Sequence, residues 1–274
     1  MQAATIDEVI TLLDTIIADS KRAQDRIGFF AALYRRVSVA VRDGIVQGKF
    51  DDGPRMEKLD VTFANRYFAA LTAYQSGQPL TTAWKVAFDA ARQPSVSLLQ
   101  HLLLGMNAHI NLDLGLAAAE VAPGAGLDSI QRDFFKINMV LASLVGECVR
   151  EFGVIWPIIT WANTMLDTKE ELMVAYEIDA MRNYAWRIAQ KFGALPVNAW
   201  EEPLRTQDEI VHVWGQDIWH PWILIALILA LFTLTNRRSV AATIDVLISS
   251  AEQVPIRVQP ENAVGVLGEP AQIR

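Results

Sequence analysis

The chain has 274 residues, 52% of them hydrophobic, enough to bury a sizeable core. Its formal net charge of −7 argues against a general nucleic-acid binder, which needs a concentrated basic face, and the pairs Arg35/Arg36 and Arg237/Arg238 are too small to reverse that. A lone cysteine, Cys148, rules out an internal disulfide, fits a reducing cytoplasmic setting, and in its apolar context reads as a small buried hydrophobe.

Thr5-Ile-Asp-Glu8 reads as a capping box, followed at helical spacing by Ile6, Val9, Ile10, Leu13, Ile16 and Ile17. Asp7 and Glu8 stand where a secretion signal would be basic, so the start reads as a helix and not as a leader. A second helix is expected over 25–46, with Phe29, Phe30, Leu33, Val37 and Val41 facing inward. Asp51-Asp-Gly-Pro54 reads as a turn, and a third helix follows over about 60–75. Thr81 or Thr82 caps a fourth, which breaks at Gln93-Pro94. The fifth, over 95–121, is the central helix, ended by Pro123-Gly124. Asp128-Ser-Ile-Gln131 is expected to cap a sixth helix running towards Gly153.

Pro157 interrupts the next stretch, and Thr168-Lys-Glu-Glu171 opens a helix that ends at Gly193. Pro196 to Pro203 reads as a loop, with Thr206-Gln-Asp-Glu209 capping the helix after it. Trp222 to Thr235 is a run of fourteen residues without a charge, between Trp219/Trp222 and Arg237/Arg238. Those flanks mimic a membrane anchor, but the run falls short of the roughly 20 residues a span needs. A buried or interface helix is the expectation, with a homodimer through 219–235 as the partner it suggests and a membrane-surface contact as the weaker alternative. Ser239 to Ala251 is the last helix, and 255–274 has no helical period. Strand signals are nearly absent, so the expected fold is all-α: a single-domain multi-helix bundle of roughly eight to ten helices over 1–254, with an irregular tail over 255–274.

The chemistry-bearing residues concentrate in His101 to Leu114, HLLLGMNAHINLDL. In a helix, His101, Gly105, His109 and Asp113 fall on one slowly drifting stripe, and Asn107 and Asn111 on a neighbouring face. Polar groups in an apolar helix need partners, so this segment organises a buried network or builds a site. His109 with Asp113 is a candidate acid–base pair, and with His101 a candidate divalent-metal set. Asn107 and Asn111 are candidate substrate-positioning groups. The bland reading is that His109 and Asn111 tie helices together.

Glu147, with Glu151 and Asp133, lies near one helix face and is a candidate second-helix partner; a solvated stripe beside Lys136 and Arg150 is the alternative. Asp179, Arg182 and Trp186 form a third group, Asp179 as a catalytic candidate and Arg182 with Trp186 as binding candidates; a local salt bridge is the plainer reading. Glu209-Ile-Val-His212 matches the ExxH of helical di-iron proteins, but such sites need a second pair and two more carboxylates. No phosphate loop, nucleophile elbow or zinc-type cysteine spacing is present.

Gly105-Met-Asn-Ala-His-Ile-Asn-Leu-Asp-Leu114 resembles a motif of a bacterial family of uncharacterised function, the DUF5995 family. The resemblance extends to Phe63-Ala-Asn-Arg-Tyr67, Asp133-Phe-Phe-Lys-Ile-Asn138 and Arg182-Asn-Tyr-Ala-Trp186, most of residues 25–190, and implies no catalytic roles. Two functions remain open. One is an enzyme acting on a hydrophobic small molecule through His109, Asp113, Glu147 and Asp179, by acid–base chemistry or with a divalent metal. The other is a non-catalytic binding or interaction protein in which the NAHIN-x-DL residues are structural.

Overall fold

A computed structural model describes residues 1–137, 170–221 and 238–249, with side chains from 180 onward in the second stretch. Cys148, Glu147, Glu151, the side chain of Asp179, the box at Thr168, the run 222–235 and the tail 255–274 lie outside the described residues. Within them the chain is all-helical, with nine labelled α-helices and no strand. α1 (Ile6–Ala23) opens as the spacing predicts, the Thr5 hydroxyl accepting the Glu8 N–H at 3.2 Å. It closes on Gln24, left-handed at φ 52°. α2 (Ile27–Val46) pairs with α1 along Val9, Leu13, Phe29 and Phe30.

α3 (Gly53–Gln75) starts earlier than the spacing predicts. Residues 51–54 are its N-terminus and not a separate turn. Asp52 caps it by accepting the Arg55 N–H at 3.0 Å, and Pro54 sits in the first turn, where its missing N–H costs nothing. α4 (Thr82–Ala91) is capped from outside: Thr81 makes no capping bond, and the Asp208 carboxylate accepts from the N–H groups of Thr82 at 2.6 Å and Ala83 at 2.9 Å.

α5 (Leu98–Ala108) begins with a full capping box between Ser97 and Gln100. It continues through a π-helical turn, His109–Leu114, into α6 (Gly115–Val121). The three form one rod through the middle of the molecule, and most of it is buried. The expected cap at Asp128 is not seen: Gly124–Ile130 is a 3-10 turn, and the following helix begins at 131. α7 (Glu170–Gly193) ends at the expected glycine.

The Pro196–Pro203 loop is also shorter than expected. A 3-10 turn over Val197–Ala199 leads directly into α8 (Glu201–Trp219), whose first turn holds Pro203. Thr206 is therefore inside the helix, its hydroxyl donating to the Glu202 carbonyl at 3.2 Å, and it caps nothing. α9 (Val240–Ser249) lies on α1 and α2, where Arg36, 1% exposed, reaches the Leu247 carbonyl at 3.4 Å.

One apolar cluster joins Leu13, Phe30, Tyr67, Phe68, Trp84 and Leu104 and follows the rod from Leu98 to Ala119. A second joins Met56, Leu59, Ile130, Phe134 and Trp186 around the rod's other face from Ile110 to Ala122. α6 meets α7 closely because residue 115 is glycine; a Cβ there would stand 2.6 Å from the Ala185 carbonyl oxygen.

Candidate functional site

The stripe His101, Gly105, His109, Asp113 exists, but Phe30 of α2 divides it. A Cβ on Gly105 would lie 2.3 Å from the Phe30 ring, so that ring fills the notch the glycine leaves. Phe30 meets His109 edge-on at 5.7 Å and also lines a cavity that holds His101. The lower half of the stripe is sealed and the upper half opens.

In the sealed half, His109 is 2% exposed and lies flat on Phe63, with centroids 3.5 Å apart and planes 7° apart. Tyr34 closes it at 4.6 Å. Its Nδ1 is 3.2 Å from Asp113 Oδ2, and the same oxygen accepts the Trp84 indole N–H at 2.8 Å. With Nδ1–H donating to Asp113, Nε2 is left as an acceptor among aromatic rings, without a hydrogen-bond partner among the described residues. Burial pushes the His109 pKa below its usual range, against the pull of Asp113. The Tyr34 phenol is pushed well up by burial and by the nearby carboxylates Asp60 and Asp113.

Asn107 and Asn111 form a ladder. Asn111 Nδ2 donates to Asn107 Oδ1 at 2.9 Å, and Asn107 Nδ2 donates to the Val211 carbonyl of α8 at 2.8 Å. Gln207 of α8 donates to the Asn111 carbonyl at 3.2 Å and to Tyr184 Oη at 2.8 Å. These amides bind α8 to the rod.

The open half differs. A cavity of about 20 Å³ lies between α2, α3, α4 and α5, partly open to the surface. Ile27, Phe30, Trp84, Ala87 and Phe88 give it apolar walls. Its polar lining is His101, Tyr67 and Arg26. His101 is 5% exposed and Tyr67 fully buried, and among the described residues neither the imidazole nitrogens nor the phenol oxygen make a well-formed hydrogen bond. Burial and the Arg26 charge hold the His101 pKa down at about 4, against the pull of the nearby Val96 backbone, so the ring is neutral at pH 7. Burial, with Asp25 adding, pushes the Tyr67 phenol up and keeps it protonated. Arg26 is half-buried at the start of α2.

The remaining candidates fall elsewhere. Arg182, 2% exposed, donates to the Phe134 carbonyl and lies 4.5 Å over the Phe134 ring; Trp186 packs on the same ring at 5.0 Å. Both belong to the second cluster and neither lines the cavity. Asp133 accepts the N–H groups of Asp51 at 2.8 Å and Asp52 at 3.0 Å, and holds Lys136 at 2.9 Å. Burial raises its carboxyl pKa, and those bonds outweigh burial and bring it below the usual range. Glu209 pairs with Arg205 at 3.2 Å, and His212 Nδ1 lies 3.5 Å from the Thr82 carbonyl, so the ExxH pair is split between two local contacts. Among the described residues no three His, Cys, Asp or Glu side chains gather where a metal could be held. His101 stands apart from His109 and Asp113.

Arg26, Tyr67 and Trp84 did not stand out in the sequence as site residues. Tyr67 closes the Phe63–Tyr67 segment quoted above, and Trp84 carries a buried N–H that needs an acceptor; those two signals were available. Arg26 has none. A family model described as a family of unknown function, DUF5995, matches residues 6–221. No curated protein and no solved structure matches.

Proposed function

The chain belongs to the DUF5995 family, whose function is unknown, and we propose that it is a non-catalytic binding protein that receives a small ligand in the cavity beside His101. Here the NAHIN-x-DL residues are the internal frame that fixes the cavity walls. One contrast carries the reading. Among the described residues both halves hold buried polar atoms without partners, but His109 Nε2 lies among packed aromatic rings, whereas His101 and Tyr67 line a cavity that opens. Buried polar groups left unsatisfied cost free energy, which a bound guest recovers. A catalytic His109 would need a path for substrate to its ring, which is 2% exposed with Phe63, Tyr34 and Phe30 packed against it.

The test is ligand-observed NMR with a library of small polar molecules on the full chain, beside His109→Gln and Ala87→Leu. Hits should survive in His109→Gln, with a lowered melting temperature as its main effect. They should vanish in Ala87→Leu, which fills the cavity. A turnover activity lost in a folded His109→Gln protein would overturn the proposal.

A further inference from the structure

We propose that the cavity takes a compact monocarboxylate, of formate or acetate size, with its head group held by Arg26, Tyr67 and His101; this rests on the binding reading above. Size sets the first limit. About 20 Å³ admits one or two water-sized groups, far below the few hundred Å³ of a drug-sized pocket. The two oxygens of a carboxylate match that capacity, with the rest of a short acid directed out through the mouth.

Hydrogen-bond capacity sets the second limit. Arg26 carries five N–H donors in a planar fork and no acceptor. Most of the described arginines hold a carboxylate, as Arg35 holds Asp14, Arg66 holds Glu120 and Arg205 holds Glu202. Arg26 has no ion pair among the described residues, although Asp25 is its chain neighbour: the Asp25 carboxylate accepts the Ile27 N–H at 2.9 Å instead. Arg26, Tyr67 and His101 line the same cavity, so guanidinium, phenol and imidazole belong to one small space. Tyr67 has one hydrogen to donate there, and neutral His101 has one for which the Val96 backbone competes. A carboxylate is acceptor-only with a single charge, and it matches this donor set and the unpaired cation. Asp25 opposes a second negative charge, which favours monocarboxylates over dicarboxylates or phosphate.

The experiment titrates the full chain with sodium formate and sodium acetate by calorimetry and NMR at pH 7 and constant ionic strength, with chloride and neutral acetamide as controls. Saturable acetate or formate binding is expected, weakened about tenfold or more in Arg26→Gln and abolished in Ala87→Leu, with both variants melting as folded proteins. Acetamide bound as tightly as acetate, unaffected by Arg26→Gln but lost in Ala87→Leu, would overturn the carboxylate assignment and leave the binding reading standing. Equal binding of chloride would overturn it as a simple anion site. If neither anion nor amide binds, and the wider library gives no hit, both proposals fall.

Discussion

Asp60 in α3 is 7% exposed, and its Oδ2 has no hydrogen-bond partner. Burial, with the Glu57 charge adding, raises its pKa from 3.8 to about 7. The folded chain therefore keeps this proton across a range where the unfolded chain has lost it. Stability must fall as pH rises from about 4 to about 7, by ~1.4 kcal/mol per pH unit, and then level off. Integrated over that window, the ionised carboxylate costs up to ~4 kcal/mol at pH 8, a large share of a typical domain's total. Asp60→Asn removes the charge at nearly constant shape. Urea unfolding at pH 5 and pH 8 should give the variant a gain at pH 8 that is ~3 kcal/mol larger than its gain at pH 5. Groups elsewhere titrate in both proteins and cancel in that difference. Parallel pH–stability curves for the two proteins would refute the reasoning, because the carboxylate would then be solvated in the folded state.

Once Asp60→Asn has removed that slope, acid destabilisation from His101 should emerge. Its folded pKa of about 4 lies below the unfolded 6.5, so stability is lost as pH falls through that interval, by up to ~3 kcal/mol, and His101→Gln should flatten the curve in urea titrations. Trp84→Phe deletes one of the two donors to Asp113 and should cost ~1–3 kcal/mol in chemical denaturation. Gly115→Ala places a methyl 2.6 Å from a backbone oxygen of α7 that cannot swing away, and should cost ~1–3 kcal/mol or more, read as a lower melting temperature.

Helix class and most boundaries were legible because their signals are local. The Thr5 cap, the apolar stripe of α1 and the stop at Gly193 each depend on neighbours within a turn or two. Where sequence and structure part, a distant residue or an ambiguous proline decided. Gly53-Pro54 and Pro203 suit either a turn or a first helical turn; at the former the local Asp52 cap is joined by Asp133, which arrives from 82 residues away to hold the Asp51 N–H. The N-terminus of α4 likewise depends on Asp208, which no local pattern could nominate.

The candidate site was half legible. The His109–Asp113 pair and the Asn107–Asn111 ladder follow from spacing on one rod. The separation of His101 from them does not, because it comes from Phe30 on another helix entering the space over Gly105. Arg26 gains its role from the same packing, and a lone arginine at a helix start carries no signal of it.

The π-helical turn at His109–Leu114 has a consequence for the family's length variation. Such a turn amounts to one residue more than an α-helix needs, and each α-helical residue advances about 100°. Deleting a single residue there would let the rod run as α-helix throughout and leave the faces beyond it in nearly the same phase, because the wider turn has already absorbed the extra residue. Gly115 would still meet Ala185 at the tight crossing. A homologous chain one residue shorter in this stretch should therefore keep that crossing, whereas the same deletion within α5 would turn the glycine away from it by about 100°.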